Sequence, residues 1–484
     1  MDQNETFFTR TLSNLAGVWR DVAHSAARSV GLNGRAPVNA DPRSLRALMV
    51  ECLEARGGEV SARMRAAELG ETYLEMETAG RRRFLEILAE EFGVDEAALA
   101  DAIAAYQAAS EPDARLNAGT VLRQASIPRR VRLLTQFNAL PEGVKFLVDL
   151  RADLLALPDK TPALRGLDAD LSELLTSWFD IGFLDLDQIT WASPAALLEK
   201  LIAYEAVHEI RSWTDLRNRV DSDRRLFALF HPRMPDEPLA FVEVALVKGV
   251  AGNIQALLDE KAPKADPGEV DTAIFYSITN TQRGLRGISF GDYLIKRVVQ
   301  RLTKELPGIK RFATLSPVPG FAAWLADLTV ETVRQVVGEA ERGGIRALGG
   351  HDDPAVALRA VLACPDWPND PVVRKALKEP LLRLGARYML TRRDSGEPID
   401  PVARFHLKNG ARLERINWLG DTSEQGLRQS AGLMVNYRYA LDDIEANHEA
   451  YMQDGRIAMS AEVRAMTKGL AEAAGRPLRR MGTG

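Results

Sequence analysis

TAIFYSITNTQRGLRGISFGDYLIKRVVQRLTKELPGIKRFATLSPVPG, residues 272–320, is the stretch from which the fold is read. Ala273 to Ile278 is a short apolar run rich in β-branched and aromatic residues, the mark of a buried strand. A polar loop with glycines follows, Thr279 to Gly287. An amphipathic helix comes next, with Leu294, Ile295, Val298, Val299 and Leu302 on one face and Lys296, Arg297, Arg301 and Lys304 on the other. Phe312 to Leu315 reads as a second strand and ends in Ser-Pro-Val-Pro-Gly. Strand, basic glycine loop, helix, strand is a plan for holding a phosphate-bearing ligand. The N–H groups at the helix start lack intrahelical partners and point at the anion, and the positive end of the dipole adds to the attraction. A tight turn that needs glycine for positive φ would use the same residues. The loop lacks G-x-x-x-x-G-K-[ST], and no acidic residue stands about 20 positions on to hold a ribose.

The 484 residues are enough for two or three domains with cores of their own. A net charge of −5 implies no global polyanion partner, so nucleic acid is not expected and any basic patch is local. Cys52 and Cys364 stand far apart and fit neither a metal motif nor a disulfide framework. No apolar run approaches the ~20 residues that cross a bilayer. Met1 to Val30 is mildly amphipathic with Arg10, Arg20 and Arg28, but Asp2, Glu5 and Asp21 argue against an organellar presequence. The C-terminal Arg-Arg-Met-Gly-Thr-Gly carries no peroxisomal ending. A cytoplasmic protein is expected.

Residues 1–179 read as an all-helical bundle. Arg43 to Arg56 is stopped by Gly57-Gly58. Thr72 to Phe92 carries a broken apolar stripe, and Asp95 is placed to cap Glu96 to Ala109. Val121 to Ala125 and Arg130 to Leu140 follow, then a helix with Pro141 at its first position, then Leu171 to Phe179. No nucleophile with a nearby base is found here, so packing or self-association is the plain role. Residues 180–484 read as one α/β domain with a helical excursion before its last strands. Ser193-Pro194 starts one helix, and Ser212 to Asp215, with capping-box spacing, starts another. Arg225 to Phe230 and Leu239 to Val247 read as antiparallel strands. Helices are expected near Thr332 to Glu341, Ala355 to Ala363 and Pro371 to Leu390. Asn409-Gly410 predicts a hairpin between Val402–Leu407 and Ala411–Trp418.

None of the six histidines pairs at metal-ligand spacing, so no metal is expected. His406 falls mid-strand in that reading, opposite in face to Phe405 and Leu407, and a satisfied strand histidine is its plain role. Ser316 before Pro317 matches a helix N-cap, yet the end of a strand beside a ligand loop is also where α/β proteins place reactive groups. Tyr437 and Tyr439 read as core aromatics.

Several stretches resemble the malonyl-CoA decarboxylase family. They are His231–Gly249 (HPRMPDEPLAFVEVALVKG), Ile274–Val299, Phe312–Phe321 (FATLSPVPGF), Pro401–Asp421 (PVARFHLKNGARLERINWLGD) and Gly432–Tyr439 (GLMVNYRY). Ser177–Pro194 resembles the family's junction between its two domains, and the likeness spans roughly residues 170–440 in order. It implies a helical oligomerisation domain, giving a dimer or tetramer, ahead of a catalytic domain of acetyltransferase-like (GNAT) fold. It implies malonyl-CoA as substrate and acetyl-CoA as product, in fatty acid metabolism. Carried over by the resemblance, Ser316 and His406 are the catalytic pair. Arg286, Gly287, Ile288, Ser289, Phe290, Gly291 and Asp292 form the acyl-CoA loop, and Tyr439 is a further substrate residue. Some members carry an acidic residue in that loop where this chain has Ser289, so no role for that carboxylate is carried over. The thioester carbonyl is the electron sink of such a decarboxylation, which therefore asks for no biotin, PLP, thiamine or metal. Ser316 would orient substrate and relay a proton, and His406, at an ordinary pKa near ~6.5, would protonate the carbanion. A CoA-dependent acyltransferase and a non-catalytic acyl-CoA sensor are the competing readings.

Overall fold

A computed structural model describes residues 17–19, 42–54, 58–266, 268–288 and 290–467. The chain divides into two compact units, Met1–Asp187 with Leu229–Ala240 and Asn280–Gly291, and Gln188–Ala228 with Phe241–Thr279 and Asp292–Gly484. Most of the reading of Met1 to Val30, and the C-terminal Arg-Arg-Met-Gly-Thr-Gly, lie outside the described residues.

From residue 42 to 178 the described residues are helical, with helices Pro42–Glu54, Gly58–Glu75, Thr78–Glu91, Glu96–Ala108, Pro112–Ala125, Arg129–Gln136, Gly143–Ala156 and Pro162–Trp178. The Asp95 carboxylate accepts the Ala98 N–H at 3.1 Å and so caps its helix as expected. The stripe from Thr72 to Phe92 is two helices, because Glu77 takes extended backbone (φ −69, ψ 167) between them. Pro141 does not open a helix. Leu140 to Gly143 is a tight turn closed by Gly143 N–H donating to Leu140 O at 3.1 Å. Pro141 is its first central residue and Glu142 takes the positive φ of 57 that such a turn asks of the second. Phe84, Leu88, Phe137, Phe146, Leu150 and Leu171 are buried in this bundle, with the Phe137 and Phe146 rings 4.7 Å apart.

One sheet organises the rest. Its strands are β1 (Asp185–Ile189), β2 (Arg224–Phe230), β3 (Ala240–Val247), β4 (Thr272–Asn280), β5 (Arg311–Thr314), β6 (Ser316–Pro317), β7 (Arg412–Asn417) and β8 (Met434–Tyr439). The order is β1-β2-β3-β4-β5-β8-β6, and β7 also pairs with β8. β1, in the Ser177–Pro194 junction, has no place in the sequence reading: its mixed acidic pattern hides the alternation of a half-exposed strand. β4 and β5 are parallel and joined by the helix Gly291–Glu305, whose Leu294, Ile295, Val298, Val299 and Leu302 are buried as the stripe predicts. Their register runs from Thr272↔Arg311 to Phe275↔Thr314. Beyond it β4 continues to Asn280, whereas the chain after β5 moves to β8, with Ser316 opposite Val435. The strands therefore splay just where Ser316 sits.

The predicted hairpin is absent. Val402 to Leu407 belongs to a helix, Pro401–Lys408, and β7 pairs instead with β8. Asp400 caps this helix by accepting the Ala403 N–H at 2.7 Å, and Pro401 stands at its first position. Asn409-Gly410 is its stop. Gly410 has φ +77, its N–H donates to Leu407 O, and Ala411 N–H donates to His406 O, each at 3.1 Å. Asn-Gly supplies a left-handed residue to a hairpin and to a helix end alike, and the cap decides which one forms. A helical region followed by a mixed α/β domain agrees with the fold class expected.

Candidate active site

Ser316 opens the short strand β6 and is not a helix N-cap; the next helix begins only at Phe321. Its hydroxyl donates to Thr314 Oγ1 at 2.9 Å, and its oxygen lies 3.2 Å from His406 Nε2. His406 Nδ1 lies 2.7 Å from the Tyr439 hydroxyl. A hydroxyl from a strand end, an imidazole from a helix 90 residues away and a phenol from β8 thus form one hydrogen-bonded line. It is dry: Ser316 is 7 % exposed, His406 2 % and Tyr439 3 %.

Each part has a local cause. Ala403, His406 and Leu407 are the buried face of their helix, spaced three and four apart. The ring of His406 lies on that of Tyr437, centroids 4.5 Å apart at 26°. Tyr437 and Tyr439 alternate on β8 and so share a face, as Thr314 and Ser316 do two residues apart. Between them the ladder is replaced by side chains. Pairing of β5 with β8 ends at Ala313↔Arg438, the Tyr437 N–H donates to Thr314 Oγ1 at 3.1 Å, and Asn436 Nδ2 donates to Thr314 O at 2.6 Å. The Val318 N–H donates to Ser430 Oγ at 3.0 Å and fixes the turn beyond Ser316.

Burial pushes the His406 imidazole from 6.5 down to about 3, so the ring is neutral at ordinary pH. The ordinary value expected from sequence is corrected on this point. Burial also raises the Asp400 carboxyl to about 6, against the pull of the backbone N–H groups it caps.

The loop carrying Arg286, Gly287, Ile288, Phe290 and Gly291 belongs to the other compact unit. Arg286 is exposed, Gly287 has φ +92, Ile288 is half-buried, Phe290 is buried and Gly291 opens the helix. Ser289 lies outside the described residues, and Asp292 is placed in the helix by its backbone. Buried Arg151 braces the loop by donating from one Nη1 to Gly284 O (2.7 Å) and Arg286 O (3.0 Å), while its Nε pairs with Asp168. A Cβ on Gly284 would stand 1.7 Å from Val148 O, a backbone atom of the helix Gly143–Ala156 that cannot swing away. Gly284→Ala is expected to destabilise the protein by about 1–3 kcal/mol, visible as a lower thermal midpoint. An unchanged midpoint would mean the two backbones are not held at this distance.

Among the described residues no group of three His, Cys, Asp or Glu side chains is placed to hold a metal. No described helix is long and apolar enough to cross a membrane.

The family models for the malonyl-CoA decarboxylase C-terminal and N-terminal domains match residues 182–476 and 92–179. The chain belongs to the malonyl-CoA decarboxylase family. It is 37 % identical to the mitochondrial malonyl-CoA decarboxylase of Anser anser anser over 470 residues, 94 % of this chain and 93 % of that one. Solved malonyl-CoA decarboxylases from Rhodopseudomonas palustris and Agrobacterium vitis are each 44 % identical and cover 87 % of this chain and 99 % of their own, with TM-scores of 0.77 and 0.78. Family membership makes the chain a carboxy-lyase. The expectation of a cytoplasmic protein is overturned, since the goose, rat and mouse relatives are all mitochondrial by name while the solved relatives are bacterial.

Thr314 escaped the sequence reading, Tyr437 entered it only as a core aromatic, and Asp400 escaped it. The pairs Thr-x-Ser and Tyr-x-Tyr carried the signal for the first two, because residues two apart on a strand share a face. Asp-Pro ahead of an i, i+3, i+4 apolar pattern carried it for the third.

Proposed function

We propose that the chain decarboxylates malonyl-CoA to acetyl-CoA and CO2, with Ser316 orienting and relaying and His406 supplying the proton. The observation that supports this most is the dry line from Ser316 through His406 to Tyr439. The bond between the carboxylate carbon and the α-carbon breaks, and its electron pair enters the thioester carbonyl as an enolate. The α-carbon then needs one proton. Because burial holds His406 neutral, it cannot arrive as imidazolium; it gives up one N–H as its other nitrogen gains a proton. Tyr439, at Nδ1, is the group placed to supply that second proton, and solvent restores the phenol after product has left. Water kept away from the enolate leaves protonation at carbon as its outlet and strengthens each hydrogen bond in the line.

The loop Arg286, Gly287, Ile288, Ser289, Phe290, Gly291 and Asp292 is proposed to hold coenzyme A. Residues 1–179 are proposed as the self-associating domain and 180–484 as the catalytic one. Leu116 (72 % exposed), Val121 (53 %) and Ile127 (45 %) support the first assignment, to be checked by light scattering of a Leu116→Glu variant. Incubation with malonyl-CoA and no acceptor tests the activity. Acetyl-CoA and CO2 in equal amounts are expected. Acyl transfer only when an amine is added would support an acyltransferase instead, and tight binding without turnover a sensor.

A further inference from the structure

We propose that Thr314 is a positioning residue that aims the Ser316–His406 hydrogen bond, so that the imidazole presents a proton and not a lone pair to the serine. The inference rests on the function proposed above and specifies how that site is set to donate. It follows from the donors along the line. Ser316 has one hydroxyl proton, and it is given to Thr314 Oγ1 at 2.9 Å. Only lone pairs of Ser316 Oγ then face His406 Nε2, 3.2 Å away, so the proton of that bond belongs to Nε2. A neutral ring carries one N–H. Nδ1 is therefore the acceptor, and the Tyr439 hydroxyl, 2.7 Å away, donates to it.

Thr314 can do this because of the break in the sheet. Its side chain is fully buried and accepts the Tyr437 N–H at 3.1 Å, where a carbonyl of a continuing β5 would otherwise stand. A backbone N–H only donates, so Oγ1 is fixed in position beside Ser316. The opposite arrangement, with Ser316 donating to a bare Nε2, is that of an activated nucleophile and its base. One threonine two residues before the serine thus decides between an acid and a base at the same pair. In turnover the Ser316 hydroxyl swings from Thr314 Oγ1 to the α-carbon and gives up its proton there as the Nε2 proton passes to Ser316 Oγ. Nδ1 takes the proton of Tyr439, and Tyr439 takes one from water. Charges and atoms balance, with one proton consumed per CO2 released.

The test uses the full chain labelled with 15N-histidine, the His406 signals being assigned by their loss in His406→Asn. Wild type is expected to show a protonated Nε2 and a bare Nδ1. Thr314→Val should reverse that pattern and lower kcat ~10-fold while KM stays near its wild-type value. Thr314→Ser, which keeps the hydroxyl, should restore both. A wild-type ring protonated at Nδ1 overturns the proposal without need of any variant. So does an unchanged tautomer in Thr314→Val. Either failure alongside intact CO2 release leaves the proposed function standing, whereas no CO2 release from wild type removes the function on which the inference rests.

Discussion

Replacing His406 by Asn is expected to slow decarboxylation by roughly 10²-fold or more while substrate affinity stays nearly intact. Asn fills part of the same buried space and can hydrogen-bond Ser316, but it cannot take a proton at one atom while releasing one at another. The loss should therefore fall on kcat, read by acetyl-CoA formation at saturating malonyl-CoA, and not on binding. Equal losses in both would identify the residue as structural. The pH dependence adds a sharper check. Because burial lowers the ring to about 3, wild-type kcat should lack the acid limb near pH 6.5 that an exposed histidine produces. Asp400, raised to about 6, is the group of this helix that titrates in that range, and Asp400→Asn should remove any limb it causes. The same shift has a stability sign. A histidine whose folded pKa lies below its unfolded value adds stability above about pH 6.5, and that share is lost as pH falls toward 3. His406→Asn should lose less of its stability on acidification than wild type does.

How legible was this site in the sequence? The strand–loop–helix–strand plan of residues 272–320 stood out because each element has its own periodicity, 2 for the strands and 3.6 for the helix. Ser316 and His406 were named through the likeness of the motifs around them, since each residue taken alone has an ordinary structural role. The element under His406 was misread. Alternation in Ala-Arg-Phe-His-Leu-Lys followed by Asn-Gly suits a hairpin, and only the buried Asp400 cap, whose burial is a tertiary fact, commits it to helix. Thr314, and the place of the core aromatic Tyr437 against His406, were hidden for a similar reason. Their role depends on β5 and β8 parting company at Ala313↔Arg438, a break that no local propensity encodes. The demand for glycine at 284 is likewise invisible locally, because it is set by Val148, more than a hundred residues earlier.

Ser316→Ala is expected to cost about 10²–10³ in kcat, the range found when one preorganised donor is removed from a reacting oxygen. If Ser316 and His406 act as one relay, then once either is gone the other has nothing to receive from or pass to. The double variant Ser316→Ala with His406→Asn should then be no slower than the worse of the two single variants, a strongly non-additive result. Independent roles predict the opposite, with the two factors multiplying to at least ~10⁴. The 3.2 Å contact makes the first outcome the expected one, because residues in one hydrogen-bonded line do not contribute separately. Single-turnover rates of the four proteins decide it, since they exclude product release. A multiplicative loss would detach Ser316 from the proton path and leave it a role in holding the malonyl carboxylate alone.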